Sequence, residues 1–254
     1  MSNSSAIVCD LDGVLFKGAE AIPGAGEALV ALERQGHVLI FATNNATRTA
    51  EDVAGRIADI TGYPARPGQI VTSAMAAAHH LAGSVRSVFV VGERGLVETL
   101  QAQGIEVDEE GHDVDAVVVG LDRTVTYEKL ARGALAVRRG ARLVATNTDP
   151  TFPSPRGQVP GAGTFVAAME RATGVDAEPC GKPFDPMASL VRALVGAREV
   201  TMVGDRVETD IEFGKRHGWT TILVLTGVTS PAVAPASGAD AILPSLADLP
   251  EHLA

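Results

Sequence analysis

Asp10 and Asp12 are the first residues whose types and spacing could do chemistry. They follow the apolar run 6–9, which has the length of a buried β-strand, and Gly13 comes directly after them. Carboxylates two residues apart face the same way where the backbone stays extended. An EF-hand is excluded, because Gly13 comes too early and no ladder of ligands follows. The pair alone fits a metal or catalytic site and a simple Asp–Gly turn equally well.

A hydroxyl and two amides form the second cluster. Thr43, Asn44 and Asn45 close the apolar run 38–42. A threonine hydroxyl and backbone N–H groups at a strand-to-helix turn can hold a phosphoryl oxygen. For Thr43 taken singly, helix capping is the better explanation. For the two asparagines, capping and a role in orienting the loop and a phosphate are equally good explanations.

The late part of the chain supplies a cation and more acids. Lys182 stands between Gly181 and Pro183, before a helix predicted to begin near Asp185. Asp205 ends a further apolar strand, and Asp210 lies within the next helical turn. Singly, these residues fit a surface lysine and a helix cap. Four such clusters together favour a site, and ligands that are all oxygens suit a hard cation, so Mg²⁺ is the expected cofactor.

The elements that would position these clusters alternate between strands and helices. At both ends of the chain this pattern predicts one doubly wound parallel sheet, so the fold class is α/β with a Rossmann-like core. In such sheets ligands bind beyond the carboxyl ends of the strands, where the clusters fall. The predicted strands are 6–9, 38–42, 199–203 and 221–225, and the predicted helices are 26–34, 51–60, 187–194 and 209–217.

The middle of the chain has its own alternation of strands and helices, which predicts an inserted α/β cap domain. Its predicted strands are 87–91, 116–119 and 142–145, and its predicted helices are 95–102, 127–138 and 164–172. The expected division is core 1–82, cap 83–179 and core 180–254, with edges at turn-forming residues. A single wider sheet is the alternative. The polar loop 146–153 follows a cap strand, and loops on rigid scaffolds often carry recognition.

Composition limits the classes of partner. The chain has 254 residues, a net charge of -10 and only two cysteines, Cys9 and Cys180. The acidic balance argues against nucleic acid as a partner, and two cysteines make no disulfide framework. No apolar run approaches the roughly 18 residues that span a bilayer. Without a recognisable secretion signal in residues 1–6, the expected location is cytoplasmic, with no membrane partner.

The motifs in this order resemble the haloacid dehalogenase (HAD) superfamily. The chain's motifs are similar to those of subfamily IIA, the branch of p-nitrophenyl, phosphoglycolate and pyridoxal phosphatases, which carries a large α/β cap of the C2 type. The motifs are Asp-Leu-Asp-Gly-Val-Leu, Thr-Asn-Asn, Gly-Lys-Pro and Gly-Asp-Arg-Val-Glu-Thr-Asp-Ile. The resemblance covers nearly the whole chain. It implies a Mg²⁺-dependent phosphatase that hydrolyses a small-molecule phosphate monoester through an aspartyl-phosphate.

The resemblance also implies a role for each site residue. It makes Asp10 the nucleophile and Asp12 the general acid and base, with the metal held by Asp10, Asp205 and the main-chain carbonyl of Asp12. Asp210 is expected to anchor the site rather than bind the metal directly. The phosphate- and substrate-binding residues that it implies are Thr43, Asn44, Asn45 and Lys182, with Asn147 and Asp149 in the specificity loop.

Other functions share parts of this constellation. A phospho-acceptor signalling module also combines an aspartate at a strand end with a hydroxyl and a lysine, but it needs no inserted domain. A phosphomutase would use the same nucleophile and Mg²⁺, and an inactive sugar-binding relic would not need the intact acids. The capped fold favours small metabolites, and a homodimer through the cap is a further expectation.

Overall fold

The structure, a computed structural model, describes residues 5–154 and 156–254. The chain forms two compact units. The first contains the described residues up to Thr43, together with Ala50–Val71 and Val191–Ala254. The second contains Asn44–Thr49 and Thr72–Leu190. The predicted division at residues 83 and 179 stays a prediction.

In the described residues the strands are β1 (Ala6–Cys9), β2 (Phe16–Lys17), β3 (Glu20–Ala21), β4 (Val38–Thr43), β5 (Ile70–Thr72), β6 (Ser87–Val91), β7 (Glu106–Val107), β8 (Ala116–Val119), β9 (Arg142–Ala145), β10 (Thr151–Ser154), β11 (Gly157–Pro160), β12 (Glu178–Pro179), β13 (Val200–Gly204), β14 (Thr220–Val224) and β15 (Ala241–Leu243). The α-helices are α1 (Ala25–Arg34), α2 (Ala50–Thr61), α3 (Ser73–Leu81), α4 (Arg94–Ala102), α5 (Tyr127–Arg138), α6 (Ala162–Thr173), α7 (Asp185–Val195), α8 (Glu212–Arg216) and α9 (Leu249–His252).

The first unit is organised around a six-stranded sheet in the order β15-β14-β13-β1-β4-β5. Strand β1 lies at its centre and pairs in parallel with both β13 and β4, so that Cys9 stands opposite Val203 and Phe41. Beyond β1 the chain continues to β4 on one side and later returns to β13 on the other. This reversal of strand order is the place where open α/β sheets bind ligands.

Burial explains why these segments form strands of a parallel sheet. Every residue of β1 and β13 is buried, as expected for strands covered by helices on both faces. The core on one face takes Leu29 and Leu32 from α1 and Ile57 from α2. Phe41 of β4 joins the same core and packs edge-on against Tyr63, with ring centroids 5.8 Å apart.

The second unit has its own parallel sheet and its own core. The sheet order is β12-β9-β8-β6-β7, with parallel pairing at each of the four contacts. Its core packs Phe89, Val117 and Leu143 from the strands against Val137 of α5 and Met169 of α6. Strands β10 and β11 form a separate antiparallel hairpin.

The α/β class and the two separate parallel sheets confirm the fold prediction, and the alternative of one wider sheet is wrong. Two local predictions need correction. The helix expected at 209–217 begins as a π-helical turn, Val207–Ile211, before α8. The predicted loop 146–153 becomes strand from Thr151 onward, because β10 finds a partner in β11. None of the helices in the described residues is both long and apolar enough to span a membrane.

An ion pair fastens the edge of the second sheet. Arg142 of β9 binds Glu178 of β12 through two bonds, Nε to Oε1 at 2.9 Å and Nη2 to Oε2 at 2.6 Å. His80 of α3 also contacts Glu178, at 2.9 Å. The hydrogen bonds from Arg142, reinforced by His80 and opposed by partial burial, lower the pKa of Glu178 from 4.5 to about 2. This ion pair therefore adds to the backbone pairing that attaches the two-residue strand β12 to β9.

Substituting Glu178→Gln should lower stability near neutral pH and matter less in acid. Because the folded-state pKa is depressed, the stabilisation by Glu178 is present above about pH 4.5 and is lost as the pH falls through about 2. Melting temperatures near neutral pH and at about pH 3 should show the gap between wild type and Glu178→Gln narrowing in acid. Glu98→Gln, which breaks an exposed pair with Arg94 on α4, is the control and should change little. A gap of constant size would contradict the prediction.

Candidate active site

Three aspartates of the first unit converge at the carboxyl edge of its sheet. Asp10 follows β1, Asp205 follows β13, and Asp210 lies in the π-helical turn after β13. One carboxylate oxygen from each residue lies within 4.8 Å of the others. The parallel pairing of β1 and β13 causes this, because Cys9 and Val203 are register partners and the Asp10 N–H donates to the Val203 carbonyl at 2.9 Å.

Asp210 is bound to the backbone that carries Asp205. Its Oδ2 accepts hydrogen bonds from the N–H groups of Asp205 and Arg206, at 3.2 and 3.1 Å. Asp205 and Asp210 are both buried, whereas Asp10 is half-buried. Single π-helical turns are common at functional sites, and here the turn carries the anchoring carboxylate. The role predicted for Asp210, an anchor rather than a direct ligand, stays a prediction.

Asp12 is exposed and lies in the turn between β1 and β2. Gly13, which follows it, has a positive φ of 88°, a conformation that glycine adopts without steric cost. The Gly13 N–H donates to the Phe16 carbonyl at 2.8 Å, which closes the turn toward the small hairpin of β2 and β3. An exposed carboxylate beside a half-buried one can exchange protons with water, as a general acid and base must.

Thr43 ends β4 at the same edge of the sheet and is buried. Because Phe41 is the register partner of Cys9, Thr43 lies as far along β4 as Leu11 lies along the segment after β1. The first unit therefore brings together Asp10, Asp205 and Asp210, with Thr43 and Asp12 at the ends of the neighbouring segments.

Asn44 organises the predicted site residues of the second unit. Its side-chain Oδ1 accepts from the Lys182 N–H at 2.7 Å, and its Nδ2 donates to the Lys182 carbonyl and to Asp149 Oδ2, both at 3.1 Å. Its own carbonyl accepts from Asn147 Nδ2 at 2.7 Å and from the Ser73 hydroxyl at 2.6 Å. Asn44 thus joins three other residues that are predicted to bind substrate, Lys182, Asn147 and Asp149.

The remaining second-unit residues differ in their surroundings. Lys182 is buried, whereas Asn45 is exposed and its Oδ1 accepts from the N–H and hydroxyl of Thr47, both at 2.8 Å. Asn45 therefore makes the local turn that capping residues make. Burial raises the pKa of the Cys180 thiol to about 12, with a further contribution from Glu178, so this cysteine stays protonated.

Several partners of the site residues carry no sequence signal of their own. Val228 donates its N–H to Asp205 Oδ2 at 2.5 Å, and Thr226 donates its hydroxyl to the Gly13 carbonyl at 2.5 Å. Ser73 holds Asn44 from the start of α3. Gly227 could have pointed to this segment in the sequence, because glycine is often found where the backbone closely approaches another group.

The first-unit aspartates fit a magnesium ion by the chemistry of their donors. All three offer carboxylate oxygens, which Mg²⁺ prefers over nitrogen or sulfur. Like charges at such separations repel one another, and a divalent cation removes that cost. Asp10 and Asp205 would hold the ion, with Asp210 fixing the backbone behind them.

Comparison with known proteins shows that the chain is similar to phosphatases of one family. A sequence model of haloacid dehalogenase-like hydrolases matches residues 7–106, and a HAD-hydrolase-like model matches residues 179–249. The chain is 38% identical to a 5′-nucleotidase of Bacillus subtilis over 233 residues, which is 90% of each protein. It is 37% identical to an acid sugar phosphatase of Staphylococcus epidermidis over 234 residues, 91% of this chain and 90% of that protein.

A solved structure is similar over the same range. Glycerol phosphate phosphatase from Mycobacterium tuberculosis, solved in complex with magnesium, superimposes with a TM-score of 0.90 at 38% identity. The similarity covers 97% of this chain and 76% of that one.

Two aspartate substitutions should separate the metal ligand from its anchor. Asp205→Asn should abolish the rise in melting temperature on adding Mg²⁺, because it removes a ligand charge. Asp210→Asn keeps an oxygen that can accept from the same backbone, so it should weaken Mg²⁺ binding about 10- to 100-fold without abolishing it. Asp240→Asn is the control, because Asp240 precedes β15 and accepts from the N–H of Thr221 at the start of β14. Complete loss of the Mg²⁺ response in Asp210→Asn would make Asp210 a direct ligand.

Asn44→Ala should destabilise the protein by about 1–3 kcal/mol, because it strips the partners from the backbone of a buried lysine. Chemical denaturation measures this loss. Asn45→Ala, which removes hydrogen bonds to Thr47 within the local turn, is the matched control and should cost less. Equal effects of the two substitutions would show that Asn44 does not hold the segment of Lys182.

Proposed function

Since the chain belongs to the haloacid dehalogenase-like hydrolases, we propose that it is a Mg²⁺-dependent phosphatase that hydrolyses small phosphate monoesters through an aspartyl-phosphate on Asp10. The observation that carries the proposal is the convergence of Asp10, Asp205 and Asp210 within 4.8 Å at the switch point of the sheet. A carboxylate that attacks a phosphate anion needs a cation beside it to offset the repulsion of like charges. In this group Asp10 would be the attacking carboxylate, and the neighbouring carboxylates would help to hold the cation.

In the first step Asp10 supplies the attacking oxygen. Its carboxylate forms a bond to phosphorus while the bond from phosphorus to the ester oxygen breaks, which leaves the phosphoryl group on Asp10. Asp12 donates its proton to the departing alkoxide, so the alcohol leaves as a neutral molecule. An exposed position suits Asp12 for this exchange, because the residue must meet both the leaving group and water.

In the second step Asp12 acts as a base. It takes a proton from water, and the resulting hydroxide attacks phosphorus and breaks the bond to Asp10. Inorganic phosphate leaves, and Asp10 returns to its starting state. One residue can serve as acid and then base because the first step leaves it deprotonated.

Charge is the main obstacle to this reaction, since a carboxylate must approach a phosphate anion. Bound Mg²⁺ would supply electrostatic stabilisation of the phosphoryl oxygens. The side chain of Lys182 is proposed to offset the same charge, and the Thr43 hydroxyl is proposed to donate to a phosphoryl oxygen. Asn44 would fix the lysine's backbone through the two bonds it makes to Lys182.

We propose that the second unit selects the ester through its loop at Asn147 and Asp149. The relatives are named for different small phosphates: a nucleotidase, an acid sugar phosphatase and a glycerol phosphate phosphatase. We therefore propose a small polar phosphate monoester as the class of substrate. The cytoplasmic location and the homodimer through the cap stay predictions from the sequence.

Phosphate release by wild type and Asp10→Asn tests the mechanism. Wild type with Mg²⁺ should turn over p-nitrophenyl phosphate and at least one of a panel of nucleoside, sugar, glycerol and glycolate phosphates. EDTA should stop turnover, and Asp10→Asn should lower it by at least about a thousandfold, because an amide is a poor nucleophile. Asp59→Asn, on the exposed side of α2, is the control and should retain activity.

Each alternative function gives a different result. A signalling module would accumulate one equivalent of phosphoprotein without repeated release. A mutase would interconvert phosphate isomers and release little inorganic phosphate. Absence of release from every ester, by folded protein with Mg²⁺ present, would overturn the phosphatase proposal.

A further inference from the structure

We propose that the segment Thr226–Val228, which follows β14, is a positioning device for the metal site and that the Thr226 hydroxyl is its key group. This inference rests on the proposed function, since it concerns the ligands of that reaction. None of the three residues carries a charge, and none is assigned a direct part in the chemistry. The segment acts through two neighbours, Asp205 and Gly13.

The segment holds Asp205 by both its side chain and its backbone. The Val228 N–H donates to Asp205 Oδ2 at 2.5 Å, and the Thr229 N–H donates to the Asp205 carbonyl at 3.2 Å. A short hydrogen bond from a backbone N–H to a carboxylate is among the stronger protein hydrogen bonds. It fixes the orientation of the carboxylate, because the donor belongs to the main chain and cannot change rotamer.

Gly227 makes this close approach possible. A Cβ at Gly227 would overlap the Asp205 carboxylate, so any side chain there would push the metal ligand away. The φ of Gly227 is not positive, so its backbone conformation is open to other residues. A glycine is needed at this position because a side chain would have no space. Gly227 therefore lets the main chain lie directly against the carboxylate.

The Thr226 hydroxyl holds the turn that contains Asp12. It donates to the Gly13 carbonyl at 2.5 Å, while the Gly13 N–H donates to the Phe16 carbonyl at 2.8 Å. Gly13 is thus fixed on both sides. In a trans peptide the carbonyl of Asp12 points opposite to the Gly13 N–H, so fixing that N–H also sets the direction of the predicted metal-binding carbonyl.

The two contacts form one interlocked unit. A Cβ on Gly13 would lie 2.7 Å from Asp205 Cγ and 2.9 Å from Gly227 Cα, so the three segments already touch without side chains between them. Thr226, which follows β14, connects the turn at Gly13 to the segment that binds Asp205. Metal affinity depends on such outer contacts, because they set the orientation of the ligands before the ion arrives.

The test compares Mg²⁺ titrations of melting temperature for wild type, Thr226→Val and Thr226→Ser, which is a readout independent of turnover. Thr226→Val keeps the size and loses the donor, so the Mg²⁺ concentration at half-response should rise about tenfold or more. Thr226→Ser keeps the hydroxyl and should titrate like wild type. In phosphate release, Thr226→Val should need correspondingly more Mg²⁺ while its KM for the ester stays unchanged.

Thr221→Val is the matched control, because Thr221 donates its hydroxyl to Asp240 at 2.8 Å at the opposite end of the same strand. It should lower the melting temperature without Mg²⁺ and leave the titration unchanged. If Thr226→Val does not fold, Thr226→Ala removes the same donor with less bulk and takes its place.

The outcomes separate this inference from the proposed function. A wild-type Mg²⁺ titration in Thr226→Val, or a defect in Thr226→Ser as large as in Thr226→Val, would overturn the positioning role. A wild type whose melting temperature does not respond to Mg²⁺ would overturn it as well. Absence of phosphate release by a wild type that does respond to Mg²⁺ would overturn the phosphatase proposal alone.

Discussion

The mutual repulsion of Asp10, Asp205 and Asp210 is the physical constraint that the surrounding structure of the first unit must offset. Three carboxylates with oxygens within 4.8 Å of one another, two of them buried, are unfavourable unless donors and a cation compensate. The fold supplies donors from its main chain: the N–H groups of Asp205 and Arg206 donate to Asp210, and the N–H of Val228 donates to Asp205. Main-chain donors can approach so closely only where side chains are absent, which explains the glycines at 13 and 227. The remaining charge favours a divalent cation.

The second unit solves a different physical problem, which is to hold a buried lysine in a defined place. Lys182 is buried, and its backbone N–H and carbonyl are both bonded to the Asn44 side chain. Asn44 also binds Asp149 and Asn147, so the loop that follows β9 and the segment of the lysine share one anchor. An amide suits this task, because it presents a donor and an acceptor at once. Asn44 directly follows Thr43 in the chain, so one short sequence motif contributes a hydroxyl to one unit and an anchor to the other.

Relatives at 37–38% identity that are named for different phosphates fit this division of tasks. Strand ends, close-packed glycines and main-chain donors tolerate little change, because each depends on backbone geometry. The loop after β9 is instead held to Asn44 by the side chains of Asn147 and Asp149, and side-chain contacts can change together while the backbone of the scaffold stays the same. Under the proposed function, a change of substrate would fall on side-chain contacts of this kind and not on the backbone geometry of the strand ends.

The sequence by itself determined the α/β class, the separate sheet in the middle of the chain and the main strands and helices, because alternating apolar runs and their turn residues are local properties. It also placed Asp10 and Asp205 at strand ends, where parallel strands must bring them together. Tertiary structure alone decided the rest. The π-helical turn at Val207–Ile211 accompanies the bonds of Asp210 to the backbone before it, and β10 is a strand only because β11 pairs with it. The contact of Thr226 with Gly13 joins residues more than two hundred positions apart, and neither residue type signals the other, so no local pattern could reveal it.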